Sequence, residues 1–391
     1  MIFVFLGKKL ISLDTILPVI AEVRSYNSKQ RVVLIAPDKK TQDEIKKNIT
    51  LYHFICLNCH FIRLGGPKSS GFLKYFQKFF WAVLLIVIWL MVFFGNSKII
   101  HFGLLEILPR SILKFSNRAK IHFFHSNCWG TSEFEKQIQL LSYGNLRSVD
   151  VPSKDNVSVF FQNSDIEAAS FSAKRDERFC ISPSKLWPAW NQFIDVTDKT
   201  QWTSECERLN ICQSKRVIVF LLGTLDAIPF LNMGDGHLDG VLLKTLEVAQ
   251  SAIPNSTILL KPHVITQMER LDAVLMNLKS GNIHISYLHP QILAKHASIV
   301  ICNYYSTALI DFWYRGIETV EFTRYGENAL KITNGGSMRP KYVDHFVDID
   351  DAELFNKLLK RANHAGWKRK VRDREFQKLR THDERLVRSL I

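Results

Sequence analysis

Residues suited to binding and group transfer recur in the second half of the chain, each just after a short apolar run. Gly223-Thr224-Leu225-Asp226 follows RVIVFLL, Lys261-Pro262-His263 follows STILL, and His289-Pro290 follows the run that begins at Ile283. Asn303-Tyr304-Tyr305-Ser306-Thr307 follows SIVIC, and Glu321 lies in a last run, Thr319–Phe322. Lysine and histidine neutralise anions through charge-assisted hydrogen bonds. A helix that starts near Ser306-Thr307 turns unpaired N–H groups toward a phosphate. A carboxylate such as Glu321 can accept from two ribose hydroxyls. One polar strand end means little, but a succession of them fits a phosphorylated ligand, and a nucleotide in particular. Plainer readings stand beside this one: Ser306 or Thr307 can cap the next helix, His289 can sit in a turn, and Lys261 can be a solvated edge charge.

The elements that position these residues can be read from periodicity. Short apolar strands alternate with helical segments throughout, which predicts parallel α/β sheets. In the first half, strands are expected at Ile2–Leu6, Arg31–Ala36, Phe61–Leu64, Lys98–Phe102 and Lys120–Phe124, with helices over Leu13–Ser25 and TQDEIKKN. In the second, strands are expected at Arg216–Leu222, Ser256–Leu260, Ile283–Leu288, Ser298–Cys302 and Thr319–Phe322. Helices fall at Leu238–Ala252, near Gln267–Lys279, at Pro290–Ala297 and at Thr307–Tyr314. Ligands of open α/β sheets bind beyond the carboxyl ends of the strands, which is where the polar groups lie. The division into domains is expected at 1–182, 183–350 and a basic helical tail, 351–391.

At 391 residues the chain is long enough for two cores. Its net charge of +14 favours polyanions: nucleic acid, acidic lipid or phosphorylated small molecules. Part of that excess is local, with twelve Lys and Arg against four Asp and Glu from Lys357 to Arg388. No helix-turn-helix, zinc-finger or RNA-recognition pattern accompanies it, so no specific nucleic-acid partner is expected. Phe79–Phe94 reads FFWAVLLIVIWLMVFF, sixteen apolar residues without a charge. As a helix it spans about 24 Å, short of a bilayer core of about 30 Å. Strands on either side of it belong to one sheet, so a crossing would split that sheet. The run is therefore expected to be a crossover helix, either buried on every face or partly inserted in a membrane surface. The charge order of Met1–Lys9 is the reverse of a signal peptide's, so no export signal is expected.

Several motifs point elsewhere and fail on context. Cys56–His60, CLNCH, matches a haem-attachment pattern but lacks export and a partner ligand. The seven cysteines form no disulfide framework, and no second pair completes a zinc site. No P-loop occurs and no G-x-G-x-x-G follows the first strand, so neither phosphate cradle nor a dinucleotide cofactor is expected. MGDGHLDG, Met233–Gly240, lacks the acidic positions of a calcium loop.

KPH at Lys261–His263, HP at His289-Pro290 and NYYSTALIDFWYRGIETVEF at Asn303–Phe322 resemble the bacterial surface-polysaccharide glycosyltransferases of the GT-B class. Within that class they are similar to the β-Kdo transferases that use CMP-Kdo, with sialyltransferases nearby. The resemblance covers Arg216–Phe322, and the first half by architecture alone. It implies two Rossmann-like domains facing across a cleft, with the C-terminal helices packing back on the first. It also implies metal-independent transfer of Kdo onto a lipid-linked glycan of lipopolysaccharide O-antigen or capsule, at the cytoplasmic face of the inner membrane, with no cofactor. The donor-side residues would be Gly223, Thr224, Lys261, His263, His289, Asn303, Tyr304, Ser306, Thr307 and Glu321. Lys261 and His263 would neutralise the departing phosphate. A retaining reaction implies an aspartate nucleophile. Asp226, Asp235 and Asp239 are the candidates, with Asp235 preferred because Gly234 and Gly236 let its backbone approach a ligand; all three can equally cap turns. On the acceptor side, His125, Ser126 and Asn127 could bind sugar hydroxyls, with His125 a possible base. Glu106, Asp165 and Glu167 are less well placed. Transfer from CMP-sialic acid, an NDP-sugar or a CDP-alcohol remains open, as does a non-catalytic membrane-surface scaffold built on the same fold.

Overall fold

A computed structural model describes residues 1–6, 11–63, 72–95, 97–102, 120–125, 137, 140, 157–161, 178–180, 183–211, 216–228, 231, 238–278, 282–304, 306–338, 340–364, 367–370 and 382–391. The chain divides into two compact units, one of residues 1–136, 147–195 and 377–391, the other of residues 137–146 and 196–376.

The first unit begins β1 (Ile2–Phe5), α1 (Ile11–Tyr26), β2 (Val32–Ala36), α2 (Lys39–Lys47), α3 (Ile49–Asn58) and β3 (His60–Arg63). It continues with α4 (Phe72–Phe94), β4 (Lys98–Phe102), β5 (Lys120–His125), β6 (Val157–Phe161) and β7 (Arg178–Cys180). The strands form one sheet in the order β3-β2-β1-β4-β5-β6-β7, parallel throughout. Strands β1 and β2 are buried along their whole length, as expected where helices cover both faces of a parallel sheet. Asn48 divides the expected polar helix from a second, apolar one. It ends α2 and caps α3, its Oδ1 accepting from Leu51 N at 3.2 Å. The CLNCH motif runs out of α3 into β3, with Cys56 exposed and Cys59 half-buried, both free thiols.

Helix α4 joins β3 to β4, two strands of one sheet, so both its ends return to the same side. Among the described residues no helix is long and apolar enough to cross a membrane. Nor is α4 buried on every face: Ile88 and Val92 are buried, while Phe79, Ile86 and Phe94 are exposed.

The second unit's elements follow α5 (Pro188–Leu209), within which the chain leaves the first unit. They are β8 (Val217–Leu221), α6 (Leu238–Ala252), β9 (Thr257–Lys261), α7 (Met268–Met276), β10 (Ile283–Ile285), α8 (Pro290–His296) and β11 (Ala297–Cys302). Next come α9 (Leu309–Trp313), β12 (Glu318–Thr323), α10 (Glu327–Ile332), β13 (His345–Asp348) and α11 (Ala352–Asn363), before α12 (Glu384–Leu390) in the first unit. The second sheet is also wholly parallel, in the order β10-β9-β8-β11-β12-β13.

The C-terminal helices part company. Helix α12 returns to the first unit and packs against α1 with Leu386, Val387 and Leu390 buried. Glu22 of α1 anchors that return: its carboxylate pairs with His382 Nδ1 at 3.2 Å and accepts from Ala189 N at 3.0 Å, an otherwise unpaired donor in the first turn of α5. Helix α11, expected on the first domain, stays on the second unit instead. Its buried Phe355, Leu358, Leu359 and Ala362 form one helical stripe, and Phe355 stacks on Phe322 of β12 at 4.1 Å. Phe355→Ala should lower the stability of the second unit by about 3–5 kcal/mol, read from denaturant unfolding. A change below about 1 kcal/mol would show that α11 is not held by this stripe.

Candidate functional site: strand ends of the second unit

From β8 the second sheet grows one way to β9 and β10, and the other way to β11, β12 and β13. The loops after β8 and β11 therefore flank the point where strand order reverses, the usual ligand crevice of an open α/β sheet. Most of the sequence-predicted donor residues lie around it.

The loop after β8 is held by close approach. A Cβ on Gly223 would lie 1.8 Å from Tyr304 Oη, so only glycine admits the tyrosine there. The Tyr304 hydroxyl in turn accepts from Thr224 N at 3.0 Å, which ties the ends of β8 and β11 together. The loop after β9 is laced to the same place. Leu222 N donates to Lys261 O at 3.0 Å, and Thr266 Oγ1 donates to Gly223 O at 2.6 Å while accepting from His263 N at 3.0 Å. Gln267 accepts from Leu225 N at 2.7 Å and donates to Thr224 Oγ1 at 3.0 Å and Asp226 Oδ2 at 2.5 Å. Arg270 lies 3.5 Å from Asp226 and 3.4 Å from Asp239, so two of the three candidate aspartates share one guanidinium.

His263 is exposed, and its Nδ1 accepts from Ile265 N at 3.3 Å. That bond leaves the neutral ring's proton on Nε2 as a donor. Lys261 ends β9 with its ammonium 5.9 Å from the centre of the Tyr287 ring, within cation–π range. Ser306 is half-buried and its Oγ accepts weakly from Ala308 N at 3.4 Å, while Thr307 is exposed. Neither hydroxyl caps α9, which begins at Leu309 and runs only five residues.

Three predicted ligand residues serve the framework instead. His289 is buried and caps α8, Nδ1 accepting from Gln291 N at 3.2 Å. Asn303 is buried and clamps α6 to β12 through Thr245 Oγ1 at 3.0 Å and Phe322 O at 3.1 Å. Both carboxyl oxygens of Glu321 are taken up within the fold. The side chain is wholly buried, with Ser337 Oγ donating to one oxygen at 2.6 Å and Tyr325 Oη donating to the other. Burial pushes its pKa from 4.5 up to about 7, against the pull of the Ser337 and Tyr325 donors.

Asp235, with Gly234 and Gly236, lies outside the described residues, as do Tyr305, Ser126, Asn127, Glu106, Asp165 and Glu167. His125 closes β5 in the first unit. Thr266, Gln267 and Arg270 are the residues that sequence reasoning passed over. Their signal was position: they open a helix three residues beyond a strand-end histidine.

A cavity of about 340 Å³ opens at the other end of this sheet, lined by Glu318, His345, Arg361, Trp367, Lys368 and Lys370 among others. Its charges largely answer one another. Glu318 pairs with His345 at 2.6 Å, with Arg361, and with Lys370 at 3.6 Å. Lying at strand starts, it is not where an α/β sheet binds a ligand.

No family model matches the chain, and no curated protein matches it. Solved structures do. The UDP-GlcNAc 2-epimerase from Methanocaldococcus jannaschii is similar with a TM-score of 0.52 and 12% identity, over 94% of this chain and 94% of that one. UGT89C1 of Arabidopsis thaliana, in complex with UDP, gives a TM-score of 0.51 at 10% identity, over 97% of this chain and 92% of that one. Identity this low shows the fold alone. That fold is GT-B, two parallel-sheet α/β domains, as the sequence resemblance implied.

Two substitutions test the framework. Gly223→Ala should displace Tyr304 and cost about 1–3 kcal/mol by overpacking, and Tyr304→Ala in the same chain should restore part of it. A double variant whose thermal unfolding shows no such coupling would remove this contact from the framework. Glu321 has a folded-state pKa above its unfolded value, so its contribution is full below 4.5 and is lost as pH rises through about 7. Glu321→Gln removes that slope. Between about pH 5 and pH 8 the wild type should therefore lose melting temperature relative to the variant, and parallel melting curves would refute the assignment.

Proposed function

We propose that the chain is a glycosyltransferase that binds a nucleotide-activated sugar at the strand ends of its second unit. The observation that carries this reading is the lacing of the β8 and β9 loops, with Lys261 and His263, around the strand-order reversal. Those residues supply a lysine and a histidine donor at the end of β9, a combination suited to a phosphate. The UDP in the Arabidopsis structure of the same fold supports a nucleotide as the ligand.

The finer reading is CMP-Kdo as donor and a lipid-linked glycan as acceptor at a membrane surface, in O-antigen or capsule synthesis, without a metal. It is supported by the KPH, HP and NYYSTALIDFWYRGIETVEF segments. In that reading the bond between the anomeric carbon and the phosphate oxygen breaks and CMP departs with the electron pair. Lys261 and His263 stabilise the charge on the leaving phosphate. An aspartate oxygen takes the anomeric carbon, and an acceptor hydroxyl then displaces it, giving up its proton to a base. Asp226 is bound to Gln267 and Arg270, and Asp239 to Arg270. Asp235 therefore remains the favoured nucleophile.

The Methanocaldococcus epimerase, built on the same fold, favours a second reading in which the nucleotide sugar is isomerised rather than transferred. CMP, UMP, UDP and GDP, each at millimolar concentration, should be compared for thermal stabilisation. A ligand at about 100 times its dissociation constant adds about 2.7 kcal/mol. Selective stabilisation by CMP, lost in His263→Ala, is the expected outcome. Preference for UDP or GDP would overturn the CMP-sugar reading, and incubation with the matching sugar nucleotide would then separate transfer, which releases the nucleotide, from epimerisation, which does not. No response to any nucleotide would overturn the donor site itself.

A further inference from the structure

Helix α4 packs on the first unit with one side only. Ile88 and Val92 are 1% and 3% exposed, whereas Phe79 and Phe94 are 67% and 75% exposed. Tyr75, Phe79, Val83, Ile86, Leu90 and Phe94 are all exposed. At ~100° per residue they fall within an arc of about 100°, and they run about 28 Å along the axis. This is a convex apolar ridge. Contiguous exposed aromatic and aliphatic side chains of this kind mark an interaction surface.

The charge of the chain selects what covers it. Helix α4 contains no Asp or Glu, and its only charged residues, Lys74 and Lys78, precede the apolar run at its N-terminal end. The whole chain carries +14, so a second copy brought to the ridge would add like charge to like, while an acidic surface would lower the energy of both. Both ends of α4 return to one sheet, which leaves the helix free to lie along a surface and unable to thread through it.

We propose that the exposed face of α4 seats in the headgroup and upper acyl layer of an anionic lipid bilayer, with the helix lying along the surface. Apolar burial and attraction to acidic headgroups add together in such a mode. The inference extends the lipid-linked acceptor reading above by naming the surface that would meet the membrane; its geometry does not depend on which donor is used.

The full chain should be floated with vesicles of phosphatidylcholine alone and with about 30% phosphatidylglycerol. The wild type should float with the acidic vesicles and weaken, without being released entirely, at about 0.5 M salt, because burial of the ridge is not screened. Ile86→Asp with Leu90→Asp should reduce that binding at least about tenfold, since two apolar contacts are replaced by charge, with the melting temperature unchanged. If the double variant fails to fold, Ile86→Ser makes the same comparison at one exposed position. No flotation of the wild type, or equal flotation of wild type and variant, would overturn the proposal. So would a wild-type dimer in sedimentation without lipid that the variant converts to monomer, because the ridge would then belong to a second copy. Nucleotide stabilisation measured on the same variant should be intact, so that failure of the membrane face and failure of the donor site register separately.

Discussion

A missing side chain at position 223 sets the geometry on which the candidate site rests. With hydrogen in place of a Cβ, the hydroxyl of Tyr304 comes down onto the turn after β8 and accepts from Thr224 N. That single approach joins the two strands on either side of the strand-order reversal. The third loop enters through Thr266 and Gln267, which hydrogen-bond the same turn from the start of α7. Three loops are thereby fixed by bonds to backbone, with few side chains used up in the process. Lys261, His263 and Ser306 lie at the ends of the same strands, beside this crevice. Loops tied in this way are stiff, and stiffness of this kind lowers the entropic cost of capturing a phosphate.

The strands of the second unit were legible because they are buried on both faces, which forces near-continuous apolar runs such as VIVFL in β8 and ASIVIC in β11. Their ends were legible for the same reason, since polarity returns where burial stops. The harder cases are those in which a polar residue is buried because a particular neighbour answers it. Asn303 sits at a strand end like a ligand residue, yet Thr245 and the Phe322 carbonyl, far away in sequence, claim both of its amide hydrogens. Gln267 carries no motif, and its importance comes from reaching a loop some forty residues earlier. Only tertiary contact separates these two situations, and a single sequence does not contain it. In the first unit, α3 has no counterpart among the expected elements for a local reason: Asn48 ends one helix and begins another, so the change from polar to apolar composition there is a helix boundary.

Strand β12 shows how far pairing can override pattern. ETVEFT would read as a half-exposed strand, yet all six residues are buried. Three of its four polar side chains are met: Glu318 by His345 and Arg361, Thr319 by the Tyr342 carbonyl and Asp344, Glu321 by Ser337 and Tyr325, while the buried Thr323 hydroxyl has no partner among the described residues. Buried carboxyls of this sort cost desolvation energy that only good hydrogen bonds offset. Glu318 and Glu321 show the two outcomes. Burial pushes both upward, but Glu318 has cationic partners and ends below its ordinary pKa, held there by His345, Arg361 and Lys370, whereas Glu321 has only neutral donors and ends above it. The sequence order places Glu321 among the candidate nucleotide ligands; its buried environment makes it a tie within the sheet, with burial raising its pKa to about 7.

The same reasoning about compensation applies at the surface of α4, with the opposite result. Within the sheet the buried carboxyls of β12 have found partners, whereas on α4 apolar side chains from Tyr75 to Phe94 stay exposed. An uncompensated polar group indoors is rare because the chain itself must answer it. An uncompensated apolar face outdoors can persist if something other than the chain answers it part of the time, and if self-association is suppressed meanwhile. A net charge of +14 supplies that suppression, since two copies approaching through their ridges must also bring two strongly positive bodies together. Salt shortens the range of this repulsion to about 8 Å at physiological strength, so it acts on copies nearly in contact, which is where apolar attraction would otherwise take over. High positive charge and an exposed apolar ridge are therefore complementary properties of one chain: the charge that keeps copies apart is the same charge that an acidic surface attracts.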